Sequence, residues 1–360
     1  MKTFKQIVPL LLAVVILPTS CKKETYLLDE PVPVGIGINN AYVLGAEYLS
    51  HNGDELYIDL NVGVVGTGSH IDIVDLPDSA FSDMDMGYYH LILEDVIRMP
   101  AESEQNYSNF TAIDYSTSWD DFDAFNTRTK SLTKFIDDGK KDSLNELAFG
   151  SFKRYEDGSS FNPIWVYDES KNAFQQSADD AKKIIFDDYY STIGYSSSLY
   201  DALEKFLSYT DGVAVNDKKS ITALCTTAPD NLNAFTTNEI ITIAQAYGIQ
   251  INLILFGDYF DNQLIRMPAL TGGFINMISN TSDFQLTLGG LMDKGAPIIG
   301  SLHRILSESQ AYYKLKLKLL RKSGSWNSGN VIYSYYETNL KSSNGEDRLN
   351  NLLPFYVQLP

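Results

Sequence analysis

The chain has 360 residues, and its length leaves room for about two domains. Hydrophobic residues make up 44% and aromatic residues 12%, which is enough to build a buried core and excludes a globally disordered chain. With 46 acidic and 28 basic residues the formal net charge is −18, which argues against nucleic-acid binding and against adsorption to anionic lipid.

The N-terminus has the pattern of a secretory signal peptide. A basic start precedes the apolar run IVPLLLAVVIL, which is too short to span a bilayer, and small residues follow before Cys21. A cysteine directly after the expected cleavage point resembles the lipobox of bacterial lipoproteins, although Pro18 departs from its strictest form. We therefore expect a signal peptide at 1–20 and a charged, proline-containing tether at 21–34.

The resemblance at Cys21 implies a place in the cell. In such lipoproteins the thiol is acylated and holds the protein at a membrane, and CKKE resembles the charged tag of surface lipoproteins of Bacteroidetes. This implies a bacterial outer-membrane lipoprotein that is exposed at the cell surface, with a periplasm-facing orientation as the alternative. The one other cysteine, Cys225, has no partner for an internal disulfide, and its apolar surroundings in ITALC predict a buried, inert thiol.

Residues 35–103 have the pattern of short strands. Apolar and polar residues alternate in several segments that are broken by Asn, Gly, Asp and Ser, and no helical run appears. This predicts the N-terminal part of an antiparallel β-sandwich. The strand segments are AYVLGAEYL, ELYIDLNVGVV, HIDIVDL and YYHLILEDVI.

Strands alternate with helices over residues 104–308, which predicts an α/β domain with a doubly wound, mostly parallel sheet. The amphipathic spacing from Leu199 to Leu207 predicts one helix. TTNEIITIAQAYG predicts another, with a Thr-Thr-Asn start and a stop at Gly248. Other helices are predicted in ADDAKKIIFDDYY and NQLIRMPALTGG, and strands in NFTAIDYS, LNELAFGSF, NPIWVYD, KKSITALCTT and IQINLILFG.

The pattern returns to strands over 309–360. AYYKLKLKLL alternates strictly, NVIYSYYETNL is similar, and SGSWNSGN between them has the composition of a hairpin loop. Because two strands alone are not stable, we expect them to complete the β-sandwich, with the α/β domain inserted between its two parts.

One strand end carries a candidate metal site. The strand NFTAI is followed by Asp114, Ser116 and Ser118, at alternate positions. In a doubly wound sheet ligands bind beyond the carboxyl ends of the strands, and a carboxylate with two hydroxyls can converge on one hard cation.

Three segments in order resemble a von Willebrand factor type A (vWA) domain, from roughly Asn109 to Asn280. TAIDYSTSW resembles the first strand with the D-x-S-x-S of the metal-ion-dependent adhesion site. IGYSSSLYDALEKFL resembles the segment with the family's metal-binding threonine, a position that Ser197 occupies here. AYGIQINLILFGDYFDNQLIRMPALTGG resembles the segment that runs from the penultimate strand to TGG. The resemblance implies a vWA, Rossmann-like fold.

The chain departs from that family at the third metal-binding loop. In ITALCTTAPDN, Thr227 stands where the family has an aspartate, and Asp230 is the nearest carboxylate that could replace it. One carboxylate with hydroxyls should hold Mg²⁺ or Ca²⁺ only weakly, because affinity for hard cations rises with ligand charge. The resemblance implies a metal that binds an acidic residue of a protein partner, without turnover, so no catalytic residue is assigned.

Two alternative functions have a sequence feature that distinguishes them from adhesion. A structural or assembly component of a cell-envelope complex would use the β-domain as its contact, without metal. A haloacid-dehalogenase-type phosphatase would need an acid where Ser116 stands, and a hydroxyl cannot make that proton transfer.

No phosphate-binding loop, hydrolase elbow or zinc-spaced histidine pair appears. SDMDMG fits a solvated turn better than a calcium loop, and the tyrosine-rich C-terminal strands could bind carbohydrate or protein.

Overall fold

The computed structural model describes eleven stretches of the chain, all within one compact unit, Val32–Pro360. The expected signal peptide, the tether with Cys21 and the predicted strand HIDIVDL lie outside them. Within these stretches, no helix has both the length and the apolar character that crossing a membrane requires. The described residues are 37–67, 80–116, 127–142, 144–157, 160–169, 173–189, 197–226, 232–257, 261–278, 290–338 and 352–360.

In chain order, the described residues form strands first, then helices that alternate with strands, and then strands again. The strands are β1 Gly37–Asn52, β2 Glu55–Thr67, β3 Met84–Asp85, β4 Tyr89–Met99, β5 Ser108–Asp114, β6 Glu146–Asp157, β7 Ser160–Tyr167, β8 Lys219–Thr226, β9 Ile249–Phe256, β10 Ile275–Ile278, β11 Tyr312–Arg321, β12 Val331–Glu337 and β13 Leu352–Gln358. The helices are α1 Thr127–Gly139, α2 Ala178–Tyr189, α3 Leu199–Val213, α4 Thr237–Tyr247, α5 Asn262–Thr271, α6 Gly290–Gly300 and α7 Leu302–Leu306, with a 3₁₀ turn at Ala173–Gln175.

The α/β part has the doubly wound arrangement that the sequence predicts. Strands β10, β9, β8, β5 and β6 are parallel neighbours, and β7 joins β6 as an antiparallel edge. Counted from β5 as the first strand, the order is 3-2-1-4-5-6, which is the doubly wound order whose direction reverses between its first and fourth strands. The α/β fold class is therefore confirmed.

Helices cover both faces of this sheet. On one face α1, α6 and α7 bury an apolar cluster with Leu132, Phe135, Ile298 and Leu302. On the other face α3, α4 and α5 pack with residues such as Phe206 onto the alternate side chains of the same strands. Five strands are thus covered on both sides, which accounts for fully buried runs such as β5.

The antiparallel strands continue the same sheet. β1 pairs with β10 through Val43 and Ile275, β2 pairs with β1, and β11 lies between β2 and β4. The result is one sheet of eleven described strands, in the order β3-β4-β11-β2-β1-β10-β9-β8-β5-β6-β7. Backbone pairing between β1 and β10 therefore joins the antiparallel strands to the α/β part, and the division into a separate β-sandwich and an inserted domain stays a prediction.

The predicted hairpin of the last strands is wrong. β11 does not pair with β12, because β2 and β4 occupy both of its edges. The SGSWNSGN segment instead carries the chain to a second sheet, in which β12 pairs with β13. This two-stranded ribbon buries Tyr336 and Phe355 in the same apolar cluster as Leu317 of β11, so it covers one face of the antiparallel strands.

Candidate functional site

Asp114 is the last residue of β5, at the carboxyl end of the sheet. Its neighbour on one side is β6 and on the other β8, so it stands where the strand order reverses. A doubly wound sheet opens a crevice for ligands at this point, because the connections on its two sides run to opposite faces. The topology thus places the candidate carboxylate at the position expected for a ligand.

The Asp114 carboxyl is fully buried and has only partial compensation for its charge. Its Oδ1 accepts the Ser116 N–H at 2.9 Å, and its Oδ2 lies 3.5 Å from the Thr226 N–H at the end of β8. Burial raises the pKa of Asp114 above its usual value, and these N–H groups together with the hydroxyls of Ser116 and Ser197 act against that rise. Burial dominates, since no cationic group contributes to the balance.

Ser197 lies just before α3 and turns its hydroxyl into this site. The residue is 3% exposed, and its proximity to the carboxyl favours the ionised form of Asp114. Even so, the Ser197 Oγ has no partner with hydrogen-bond geometry among the described residues. A buried hydroxyl without a bond loses free energy, so this oxygen is available to a further ligand.

Three of the predicted metal ligands are therefore brought together, namely Asp114, Ser116 and Ser197. Ser118, Thr227 and Asp230 lie outside the described residues. Across the described part of the chain, no group of three or more His, Cys, Asp or Glu residues is placed to hold a metal ion. The donors at Asp114 are one carboxylate and hydroxyl oxygens, and they fit a hard cation such as Mg²⁺ or Ca²⁺ in kind, with the low ligand charge that the sequence predicts.

Arg128, near the start of α1, fixes the end of β5 from the other side. Its NH1 donates to the Asp114 carbonyl at 3.3 Å, and its guanidinium lies 4.4 Å from the centre of the Tyr115 ring. The side chain is 3% exposed. This contact goes to the backbone carbonyl, so Arg128 positions the end of β5.

A buried ion pair that the sequence did not predict joins β6, the start of α3 and the segment after β8 at this end of the sheet. Arg154 of β6 donates from NH2 to Asp201 Oδ2 at 3.1 Å, and both side chains are buried. Asp201 Oδ1 also accepts the Ala234 N–H at 2.7 Å, while Asn233 Oδ1 accepts the N–H groups of Tyr200 and Asp201 at the start of α3. The segment after β8 is thereby tied to β6 and to the helix that follows Ser197.

The remaining sequence candidates have structural roles. Cys225 is buried, and its pKa is raised well above the usual value by burial and by the nearby Asp114, as an unreactive thiol requires. Asp85 of SDMDMG forms an ion pair with Lys322 and accepts the Gly87 N–H, which gives a turn. His303 lies between the Tyr107 hydroxyl and Glu104, away from the Asp114 site.

No protein-family model matches the sequence, and no curated protein matches it. Similar solved structures include vWA domains at low identity. Proximal thread matrix protein 1 of the mussel byssus is 14% identical over 62% of this chain and 50% of its own, at a TM-score of 0.39, so the match spans half of that protein; one of its structures has a zinc-occupied MIDAS motif.

Two further structures extend the likeness. A von Willebrand factor type A protein from Catenulispora acidiphila is 11% identical, with 90% of this chain and 75% of that one covered, at a TM-score of 0.38. The SpRpn10 VWA domain is 10% identical, with 53% and 94% covered, at a TM-score of 0.35. At these values the likenesses do not assign a function.

Proposed function

We propose that this chain is a non-enzymatic surface-anchored binding protein, which engages an acidic residue of a protein partner through a weakly held Mg²⁺ or Ca²⁺ at the end of β5. The observation that carries the proposal is the buried, incompletely compensated Asp114 carboxylate at the switch point, beside a Ser197 hydroxyl that has no bond to any described residue. Asp114, Ser116 and Ser197 would hold the ion, together with Ser118 and Thr227.

The charges explain why a cation is needed. A partner carboxylate would be repelled by Asp114 and by the overall charge of −18. When bound, the metal supplies positive charge and an open coordination position for an oxygen ligand. The protein's own contribution is positional, because Arg128 and the Arg154–Asp201 pair hold the strand end and the loops in place.

The direct test is calorimetric titration of the intact protein with MgCl₂, CaCl₂ and MnCl₂. We expect one weak site in the wild type and none in Asp114→Ala, while the matched variant Asp95→Ala, which removes an exposed carboxylate from β4, keeps the site. No heat of binding for any of the three ions would overturn the proposal. In that case binding to a partner that is indifferent to chelator would support the assembly role.

The absence of turnover and the anchor are tested separately. We expect no hydrolysis of p-nitrophenyl phosphate with any of these ions, and a rate that Asp114→Asn abolishes would contradict the binding role.

At the N-terminus we expect fatty acid on Cys21, detected by metabolic labelling in a bacterial host and lost in Cys21→Ser. Protease added to intact cells would then distinguish surface exposure from a periplasm-facing location.

A further inference from the structure

A second concave site lies on the antiparallel part of the sheet, with five strands between it and the strand that carries Asp114. We call this site the aromatic cleft. It is bounded by Tyr88, Tyr89, Arg321, Trp326 and Tyr333, and it has a volume of about 350 Å³. With five strands between β11 and β5, the two sites are separated by roughly 30 Å along the sheet. The cleft is therefore independent of the proposed metal site.

The aromatic cleft is held rigid by hydrogen bonds of its backbone. The Lys322 N–H donates to the Tyr88 carbonyl at 3.1 Å, and the Trp326 N–H donates to the Gly53 carbonyl at 2.8 Å. The indole of Trp326 donates to the Leu319 carbonyl at 3.1 Å, and its ring meets Tyr89 edge-on. The walls are thus preorganised, although the Tyr88 side chain itself is 88% exposed.

Arg321 gives the cleft a positive charge, and no acid in the described part of the chain forms an ion pair with it. The three lysines of the same strand each have an acid partner, in the pairs Lys314–Asp59, Lys316–Asp95 and Lys318–Glu55. Arg321 instead stacks on Trp326, 4.1 Å from the ring centre, and no carboxylate of the described residues forms an ion pair with it. In a chain of net charge −18, an arginine of this kind favours an anionic ligand.

The shape and the lining narrow the class of ligand. A volume of about 350 Å³ is at the lower end of the range for small-molecule pockets, so it suits one or two ring-sized groups better than a broad protein face. The exposed Tyr88 ring offers an apolar face with a hydroxyl at its edge, and Ser323 adds a second hydroxyl. A sugar ring combines C–H faces with hydroxyl groups, and a carboxylate on it would meet the guanidinium.

We propose that the aromatic cleft binds a carboxylated saccharide, with its ring against Tyr88 and its carboxylate on Arg321. Binding should fall with rising salt, because the charged contact is exposed to solvent. It should be unchanged by EDTA and by Asp114→Ala, since neither affects the cleft.

The test is titration of the full chain with digalacturonate and with its neutral counterpart, α-1,4-galactobiose. We expect galactobiose to bind at least tenfold more weakly. Arg321→Gln should weaken digalacturonate binding by at least tenfold, and Arg321→Lys by less than Arg321→Gln, since the charge remains while the planar fork is lost. Tyr88→Ala should weaken it severalfold with no change in folding, because that side chain is exposed.

Matched variants make the result specific. Lys316→Gln removes a neighbouring charge of β11, and Tyr335→Ala removes an exposed tyrosine of β12 outside the lining, so both should bind like the wild type. Equal affinity for the two disaccharides, no binding of either, or an Arg321→Gln variant with full affinity would overturn the proposal. Binding of a tetraglutamate peptide in place of the saccharides would also overturn it and would favour a protein ligand.

The source of the saccharide is resolved by competition. Displacement of digalacturonate by monomeric galacturonate supports a free sugar acid or a chain end, whereas displacement by the polymer alone supports an internal segment of a polysaccharide. Each result supports carboxylated-sugar recognition at the aromatic cleft and distinguishes its form.

Discussion

At the scale of single residues, the most informative side chain is Asp114. A buried carboxylate whose bonds go to two backbone N–H groups and to hydroxyls is unfavourable inside a protein, because burial penalises the charged form more than those bonds restore. The chain retains this group at the switch point of its sheet. A bound cation would offset the free-energy cost of burying the Asp114 carboxylate in its charged form.

The first prediction concerns the stability of Asp114→Asn without divalent cations. The pKa of Asp114 is raised in the folded state, so the native protein binds this proton more tightly than the unfolded chain does. Wild-type stability should therefore fall as pH rises from the usual carboxyl range through the folded pKa, and then level off. At pH 7 in EDTA we expect Asp114→Asn to be more stable by on the order of 1 kcal/mol, and this advantage should shrink as the pH falls towards 4.

Urea unfolding between pH 4 and 8 measures this difference, with Asp95→Asn as the control for loss of an exposed carboxylate. Saturating MgCl₂ should stabilise the wild type and leave Asp114→Asn almost unchanged, since a ligand that binds only the native state stabilises it. A wild type that is more stable than Asp114→Asn in EDTA at all pH values would contradict the argument from burial.

The second prediction concerns the buried ion pair between Arg154 and Asp201. Removing one partner leaves a buried charge, so Arg154→Met should lower the free energy of unfolding by about 3–5 kcal/mol. The double variant Arg154→Met/Asp201→Leu should lose less than the sum of the single variants. Denaturant unfolding of the four proteins measures this coupling.

An exposed pair supplies the control for that cycle. Lys134 and Asp138 lie four residues apart on α1, and Lys134 is largely exposed, so Lys134→Ala should change stability by less than about 0.5 kcal/mol. Additive losses in the Arg154 and Asp201 variants would show that the two side chains act independently and that the loops are held by other contacts.

At the scale of elements, α4 shows how local chemistry sets the ends of a helix. The Thr236 hydroxyl accepts the Glu239 N–H, the Glu239 carboxylate accepts the Thr236 N–H, and Gly248 closes the helix at a φ of 65°. Thr236→Ala removes the side-chain cap and should lower stability by about 1 kcal/mol. Thr242→Ala, in the exposed middle of the same helix, should change it by much less. Equal losses in thermal unfolding would show that the cap contributes nothing of its own.

Elements of this kind are the part of the fold that the sequence predicts well. The bounds of α4 and α5 and the start of α3 follow from apolar spacing and from capping residues such as Thr236 and Gly248, because these signals act within a few residues. The end of α3 does not, since the helix continues to Val213, beyond the predicted spacing that ends at Leu207. The alternation in AYYKLKLKLL likewise predicts that β11 has one buried and one polar face. Alternation of apolar and polar residues does not predict which strands pair along the two edges of β11. Its partners β2 and β4 are more than 200 positions away in the sequence.

The same distinction applies to the candidate site. Asp114 and Ser116 could be predicted from spacing and from the rule for switch points, and Ser197 from the resemblance. Arg154 and Asp201 could not, since they are separated by 47 positions and no local pattern marks either as a partner of the other. Asp201 lies in the first turn of α3, on the side of the helix opposite Leu199, Leu203 and Phe206, so the apolar spacing gives no sign that it is buried.

At the scale of the whole molecule, the eleven-stranded sheet connects the antiparallel and the parallel strands. The junction is the pairing of β1 with β10, and α6 and α5 pack across it against both parts. The side chains of Ile58 on β2 and Ile251 on β9 belong to one continuous apolar cluster, and each is fully buried. A shared core and a shared sheet favour cooperative unfolding of the two parts.

The last prediction is that scanning calorimetry will show one transition for residues 37–360, which cavity variants in either part move as a whole. Ile58→Ala and Ile251→Ala should each cost about 2–5 kcal/mol, which corresponds to a fall in Tm of at least several degrees in a protein of this size. Val215→Ala, at a side chain that is 70% exposed, should leave Tm unchanged. A β-sandwich that folds on its own would give a different result. Ile58→Ala would then produce a separate transition at a lower temperature, and the remaining transition would still respond to Ile251→Ala.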